Sequence, residues 1–247
     1  MRPFLLLGTR AEDAAADDEY DAFLRFSGLD EPMLRRVRLE REPLRDALGE
    51  VDLDDWSGIV LGGGPFNASD PDDAKSSVQQ RVEGELAELL DEVVARDFPL
   101  LGACYGIGVV GTHQGGTVDR AHAEPIGRVD VTLTTAGRED PLFADLPSRF
   151  EAFVGHKEAV RDLPATAVHL ASSPACPVQA FRVGRNVYAT QFHPELDVSG
   201  LCTRIEVYKH AGYFEPEQAE SLKELARRGA VRHPPRLVRG FVERYAR

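Results

Sequence analysis

Hydrophobic positions fall into short unbroken runs separated by longer stretches where they recur every three or four residues. Phe4-Leu5-Leu6-Leu7, Ile59-Val60-Leu61, Leu100-Leu101 and Val187-Tyr188-Ala189 are continuous apolar runs, as expected of strands buried on both faces. Between them, Tyr20, Phe23, Leu24 and Phe26 give an apolar side to a helix over 17–27, preceded by an acidic run (Glu12, Asp13, Asp17, Asp18, Glu19, Asp21) that reads as a solvated helix start. Residues 34–40 alternate imperfectly and predict a partly exposed second strand. Val82, Leu86, Leu89, Leu90, Val93 and Val94 predict a helix over 77–96, and 66–76, rich in Asn, Asp, Ser and Pro, predicts a loop.

This alternation of strand and helix predicts an α/β fold with a mostly parallel sheet covered on both faces. After Gly115-Gly116 the texture changes, and short strand-like pieces at 129–134, 150–154 and 168–171 replace long helices. A helix at 201–208 follows, then two more at 217–228 and 235–245. The expected organisation is one domain over 1–247, with a core of about 1–210 and a helical extension of about 211–247. No internal repeat or low-complexity linker is visible.

Composition narrows the function classes. A net charge of −12 and a pI of about 5.1 argue against binding to nucleic acid or to anionic lipid. No apolar run approaches the roughly 20 residues a membrane helix needs, and the run at Phe4 is too short for a signal peptide. Cys104, Cys176 and Cys202 are widely spaced, with no metal-ligand pattern, so neither a disulfide framework nor a metal site is expected. Gly62-Gly63-Gly64-Pro65 lacks the Lys and Ser/Thr of a phosphate loop, and no cofactor is expected. A reducing, cytoplasmic location fits.

Candidate chemistry sits where the strands stop. The third run ends in Gly102-Ala103-Cys104-Tyr105-Gly106, a cysteine with glycine two residues to either side. A nucleophile lifted above a sheet on a strand-to-helix turn has this form. A helix over 105–113 would begin under the sulfur, where the macrodipole favours thiolate. The fourth run leads to His193-Pro194-Glu195; in an extended chain, i and i+2 share a face, so the carboxylate can orient the imidazole as a base. Asp197 is a rival orienter. The glycine cluster after Leu61 offers backbone N–H groups for a developing oxyanion.

With these three motifs in order, the chain resembles the class I glutamine amidotransferases, most closely the amidotransferase domain of GMP synthetase. The resemblance covers roughly residues 1–200. It implies a flavodoxin-like three-layer sandwich and a Cys104–His193–Glu195 triad, with Gly64 and Tyr105 N–H groups as oxyanion hole. Gly63, Gly64, Gly108, His156, Lys157 and Glu158 become candidates for substrate binding, His156 matching a family histidine with Gly155 in place of the usual Asn or Ser.

The implied reaction releases ammonia from the side-chain amide of glutamine for a separate synthetase subunit. A γ-glutamyl peptidase acting on a larger γ-glutamyl compound is the first alternative, and a non-catalytic binding subunit the second. One position departs from the family: Gly108 stands where a glutamine usually helps to hold substrate. That departure predicts weakened recognition of free glutamine, improved by Gly108→Gln, or space for a substituent.

Overall fold

The computed structural model describes residues 1–229 and 231–247. The first half runs β1 (Phe4–Gly8), α1 (Asp13–Ser27), β2 (Leu34–Arg38), α2 (Leu44–Leu48), β3 (Gly58–Leu61), α3 (Ser77–Ala95), β4 (Leu100–Ala103) and α4 (Tyr105–His113). Then come β5 (Thr117–Asp119), β6 (Glu124–Leu133), α5 (Thr135–Glu139), β7 (Arg149–His156), β8 (Ala159–Asp162), β9 (Ala167–Ser172), β10 (Ala180–Val183) and β11 (Val187–Thr190). Helices α6 (Val198–Val207), α7 (Ala219–Arg227) and α8 (Pro235–Tyr245) follow.

The nine-stranded sheet has the order β2-β1-β3-β4-β11-β10-β9-β6-β7. From β2 to β11 every neighbour is parallel, in the doubly wound order that places ligands at the carboxyl ends of the strands. Beyond β11 the pairing turns antiparallel. β5 and β8 form a separate antiparallel pair.

The continuous apolar runs are explained by two cores, one on each face of the sheet. Leu5, Leu7, Ile59, Leu61, Leu100 and Val187 pack with Val82, Leu86 and Leu90 of α3 and with Ile107 and Val110 of α4. The alternate residues Phe4, Leu6, Val60, Leu101 and Tyr188 pack with Phe23 of α1 and with Leu237, Val238 and Phe241 of α8. At the far end of the chain α8 therefore covers the first strand, with Phe241 and Phe4 ring centroids 6.0 Å apart. A third cluster joins α6 and α7 to the sheet through Phe153, Leu196, Leu201 and Ile205.

Local signals fix the helix ends. Ser76 Oγ accepts from Gln79 N–H at 3.1 Å to start α3, and Asp197 Oδ1 accepts from Gly200 N–H at 2.8 Å to start α6, both standard N-caps. Helix α1 begins earlier than its apolar pattern predicts and carries the acidic run on it. Asp13 and Asp17 pair with Arg38 and Arg36 at the surface, whereas Glu19 points inward and is buried, contrary to the solvated reading of that run.

Candidate active site

Cys104 lies between β4 and α4 with φ 53° and ψ −95°, a conformation costly for a residue with a side chain. The surrounding backbone holds it there: Cys104 N–H donates to Thr190 O at 2.8 Å. The flanking glycines are needed because backbone approaches backbone. A Cβ on Gly102 would lie 3.0 Å from Gly106 C, and one on Gly106 would lie 3.0 Å from Leu61 O.

β3, β4 and β11 are neighbours, so the segments leaving them meet at one edge. A Cβ on Gly63, just past β3, would lie 2.8 Å from His193 Cε1 and 3.4 Å from Cys104 Cβ. His193-Pro194-Glu195 forms a turn rather than the extended segment the sequence predicts. It still sets His193 Nδ1 2.9 Å from Glu195 Oε1. Asp197 is occupied elsewhere, as the cap of α6 and the partner of Arg25. Gly64 and Tyr105 both border space at Cys104. Tyr105 is the first residue of α4, where a backbone N–H has no acceptor within the helix.

Two cavities meet at the cysteine. One is bounded by Arg10, His193, Arg204, Tyr208 and the apolar Ile126, Leu196 and Leu201; the other by Phe66, Asn67, Lys157, Glu158 and Gln191. Gly64, Gly155 and Tyr213 border both. Glu158 is buried, its carboxylate accepting from Ala68 N–H and Ser69 N–H, each at 2.8 Å. Lys157 Nζ donates to Ala211 O at 2.9 Å and lies 4.4 Å from the Tyr213 ring centroid. Gly108 is not beside open space: a Cβ there would lie 3.1 Å from Glu158 Oε1 and 3.5 Å from Ala68 Cβ. The Glu158 carboxylate thus stands against the position where a glutamine side chain or a substituent would begin.

His156 is engaged on both ring nitrogens, Nδ1 2.8 Å from Glu158 O and Nε2 3.0 Å from Glu124 Oε2. It thus fixes the backbone that carries Glu158. Glu124, His156 and Cys176 are the group among the described residues whose donor atoms could surround a cation. Glu124, however, already accepts from Ser173 Oγ at 2.7 Å and Gln179 Nε2 at 2.6 Å besides His156. A cation would have to displace those bonds.

Charge beneath the cysteine was not legible in the sequence. Arg204 Nη2 donates to Glu195 Oε1 at 2.8 Å, and Arg10 Nε to Glu19 Oε1 at 3.0 Å, all four side chains being buried. One signal was available: Leu201, Arg204, Ile205 and Tyr208 are spaced i, i+3, i+4, i+7, which puts an arginine on an apolar helix face. Glu19 and Arg10 offered none, since their pairing depends on how the loop after β1 folds back.

Burial pushes the Cys104 thiol up to about 12, against the pull of Arg10 and Arg204. Burial thus works against the thiolate expected from the helix N-terminus, where only roughly half a charge is available to offset loss of solvent. Burial lowers the His193 imidazole to about 4, with Arg204 and Arg10 acting the same way and Glu195 opposing. Burial would raise Glu195, but His193, in the range where it is protonated, and the charge of Arg204 outweigh it and hold the carboxyl well below the usual range. Both shifts favour a neutral thiol beside a neutral imidazole oriented by a carboxylate. Such a set can deprotonate the thiol as it attacks an acyl carbon and return the proton to the leaving group.

The depressed imidazole also makes a stability prediction. Between the ordinary value of 6.5 and the folded value of about 4, the unfolded chain binds a proton that the native chain does not. Stability should therefore be full above pH 6.5 and fall as pH drops toward 4, by on the order of 3 kcal/mol from this group. Thermal melts from pH 7.5 to 4 should show a smaller loss for His193→Gln than for wild type; parallel curves would refute this.

Comparison with known proteins bears on the family. A curated relative, one of the subunits of the glutamine-hydrolyzing GMP synthase of Thermoplasma volcanium, is 30% identical over 166 residues, covering 67% of this chain and 75% of the relative. Its counterpart from Thermoplasma acidophilum is 28% identical over 166 residues, covering 67% and 76%. The crystal structure of a glutamine amidotransferase from Thermotoga maritima superposes with a TM-score of 0.78 at 23% identity, covering 99% of this chain and 98% of that one. That likeness shows a common fold, C-terminal helices included. The family model for glutamine amidotransferase class-I matches residues 30–202, and the chain belongs to that family.

Proposed function

We propose that this protein hydrolyses the side-chain amide of glutamine and delivers the ammonia to a separate synthetase subunit. The observation that carries the reading is the meeting of Cys104, on its strained turn, with a His193 held 2.9 Å from Glu195, at the ends of adjacent parallel strands. The thiol proton passes to His193 Nε2 as Sγ bonds to the amide carbon. Gly64 and Tyr105 N–H groups receive the oxyanion, and the imidazolium gives its proton to the departing nitrogen. Water, deprotonated by His193, then cleaves the γ-glutamyl thioester to glutamate and restores the thiol.

The second cavity suits the amino-acid end of the substrate. Glu158 offers a fixed negative charge to the α-ammonium, and Lys157 stands beside it as counter-charge for the α-carboxylate. Relatives that are named as single subunits of a glutamine-hydrolyzing synthase support delivery of ammonia to a second subunit. Ammonia release from glutamine by the purified chain, alone and with a synthetase subunit, tests the reading. Absence of release in both, with cleavage of γ-glutamyl amines instead, would replace it with the peptidase alternative.

Gly108 then has a defined expectation. A side chain there crowds Glu158 Oε1, which is held by two backbone N–H groups, so Gly108→Gln should raise KM by about 5-fold or more, the scale of about 1 kcal/mol of overpacking. A lower KM in the variant would show that the pocket follows the family after all.

A further inference from the structure

One cation stands closer to His193 than any step of that reaction requires. Arg204 is 4% exposed, with Nη1 2.9 Å from His193 Nδ1 and Nη2 2.8 Å from Glu195 Oε1. A guanidinium only donates, and Nδ1 cannot donate to Glu195 and accept from Arg204 at once. A base acting through Nε2 must carry its proton on Nδ1, directed to Glu195. Arg204 then faces an N–H group across 2.9 Å, and its charge opposes formation of the imidazolium. From α1, Glu19 Oε1 holds this cation at 3.4 Å while also accepting from Arg10 at 3.0 Å.

We infer that Arg204 is a positioning residue for the reaction proposed above: it anchors the Glu195 oxygen that orients His193, and its charge makes the imidazole a weaker base and the imidazolium a stronger acid toward the departing amine. The trade suits a site whose second proton transfer, to a poor amide leaving group, is the harder one. The charged and titratable groups around His193 are Cys104 just before α4, Arg10 after β1, Arg204 on α6, and Tyr208 and Tyr213 after α6, all lining the cavity with it, and Glu195 against the ring; Glu19 on α1 stands behind the two arginines. Among them Glu195 is the anion in direct contact with the ring, and Arg204 the cation in direct contact.

The test is the pH dependence of two rates, glutaminase kcat/KM and alkylation of Cys104 by iodoacetamide; the second needs no substrate. In Arg204→Gln the acid limb should move up by about one pH unit or more, with kcat about 10-fold lower and KM within about 2-fold. Glu19→Gln leaves Arg204 charged and removes the anion opposing it, so its limb should move to lower pH. Opposite shifts support the inference, and a merely structural role would not produce them. Unchanged limbs, or limbs moving together, in folded variants overturn it. If Arg204→Gln does not fold, the direction in Glu19→Gln decides alone. Because the inference rests on the hydrolase reading, the outcomes are kept separate: no ammonia release with opposite alkylation shifts would sink the reading and leave Arg204 in its place.

Discussion

Cys104→Ala should lose at least about 10⁴-fold in kcat while melting within a few degrees of wild type. In the proposed reaction the sulfur forms the acyl bond, and neither His193 nor the oxyanion donors would substitute for it; in sites of this kind loss of the nucleophile costs about as much as loss of the whole set. Stability changes little because the side chain is small and half-buried, and because the strained φ of 53° is imposed by the surrounding backbone on alanine as on cysteine. Ammonia release by the purified variant, measured with the melt, checks both parts. Residual activity within about 10-fold of wild type would remove Cys104 from the chemistry and leave the elbow as a structural turn.

Glu158→Gln should lower kcat/KM for glutamine by about 10- to 150-fold, mainly through KM. The carboxylate is buried and held by the N–H groups of Ala68 and Ser69. On the proposed reading, removing its charge forfeits a charge-assisted bond to the substrate ammonium worth about 1.5–3 kcal/mol. It also turns an amide NH2 toward a backbone donor. Burial raises the Glu158 pKa, with the two N–H bonds opposing, so wild-type KM should itself climb on acidification before an ordinary carboxylate would titrate. Glutaramic acid, which lacks the α-amino group, separates binding from loop damage. Wild type should discriminate strongly against it and the variant hardly at all. Equal discrimination by both would mean that Glu158 only supports the loop.

Most charged groups near the cysteine are already engaged by protein partners. His156 serves Glu158, Glu158 pins the loop, Lys157 holds the segment bearing Tyr213, and Arg10 and Arg204 neutralise Glu19 and Glu195. Buried charges persist in pairs because an unpaired one costs several kcal/mol. On the proposed reading, His193 Nε2 and the Cys104 thiol carry the proton transfers, and Glu158 and Lys157 add the substrate's charged ends to the contacts they already make.

By itself the sequence determined the strands, because runs such as Phe4-Leu5-Leu6-Leu7 are apolar at every position and only a sheet covered on both faces buries them all. It determined the long helix α3 from its period, and the nucleophile turn from Gly102 and Gly106, whose missing side chains are required wherever two backbones come within about 3 Å. Tertiary structure decided what periodicity does not encode. Glu19 belongs to an acidic run that reads as solvated, and only the fold of the loop after β1 brings Arg10 onto it. His193 and Glu195 meet through a turn, not through an extended chain. Gly108 looks like an absence until Glu158, fifty residues on, is seen against it. In each case the deciding contact is between residues far apart in the chain, and local pattern carries no information about which distant charge or volume arrives to complete a site.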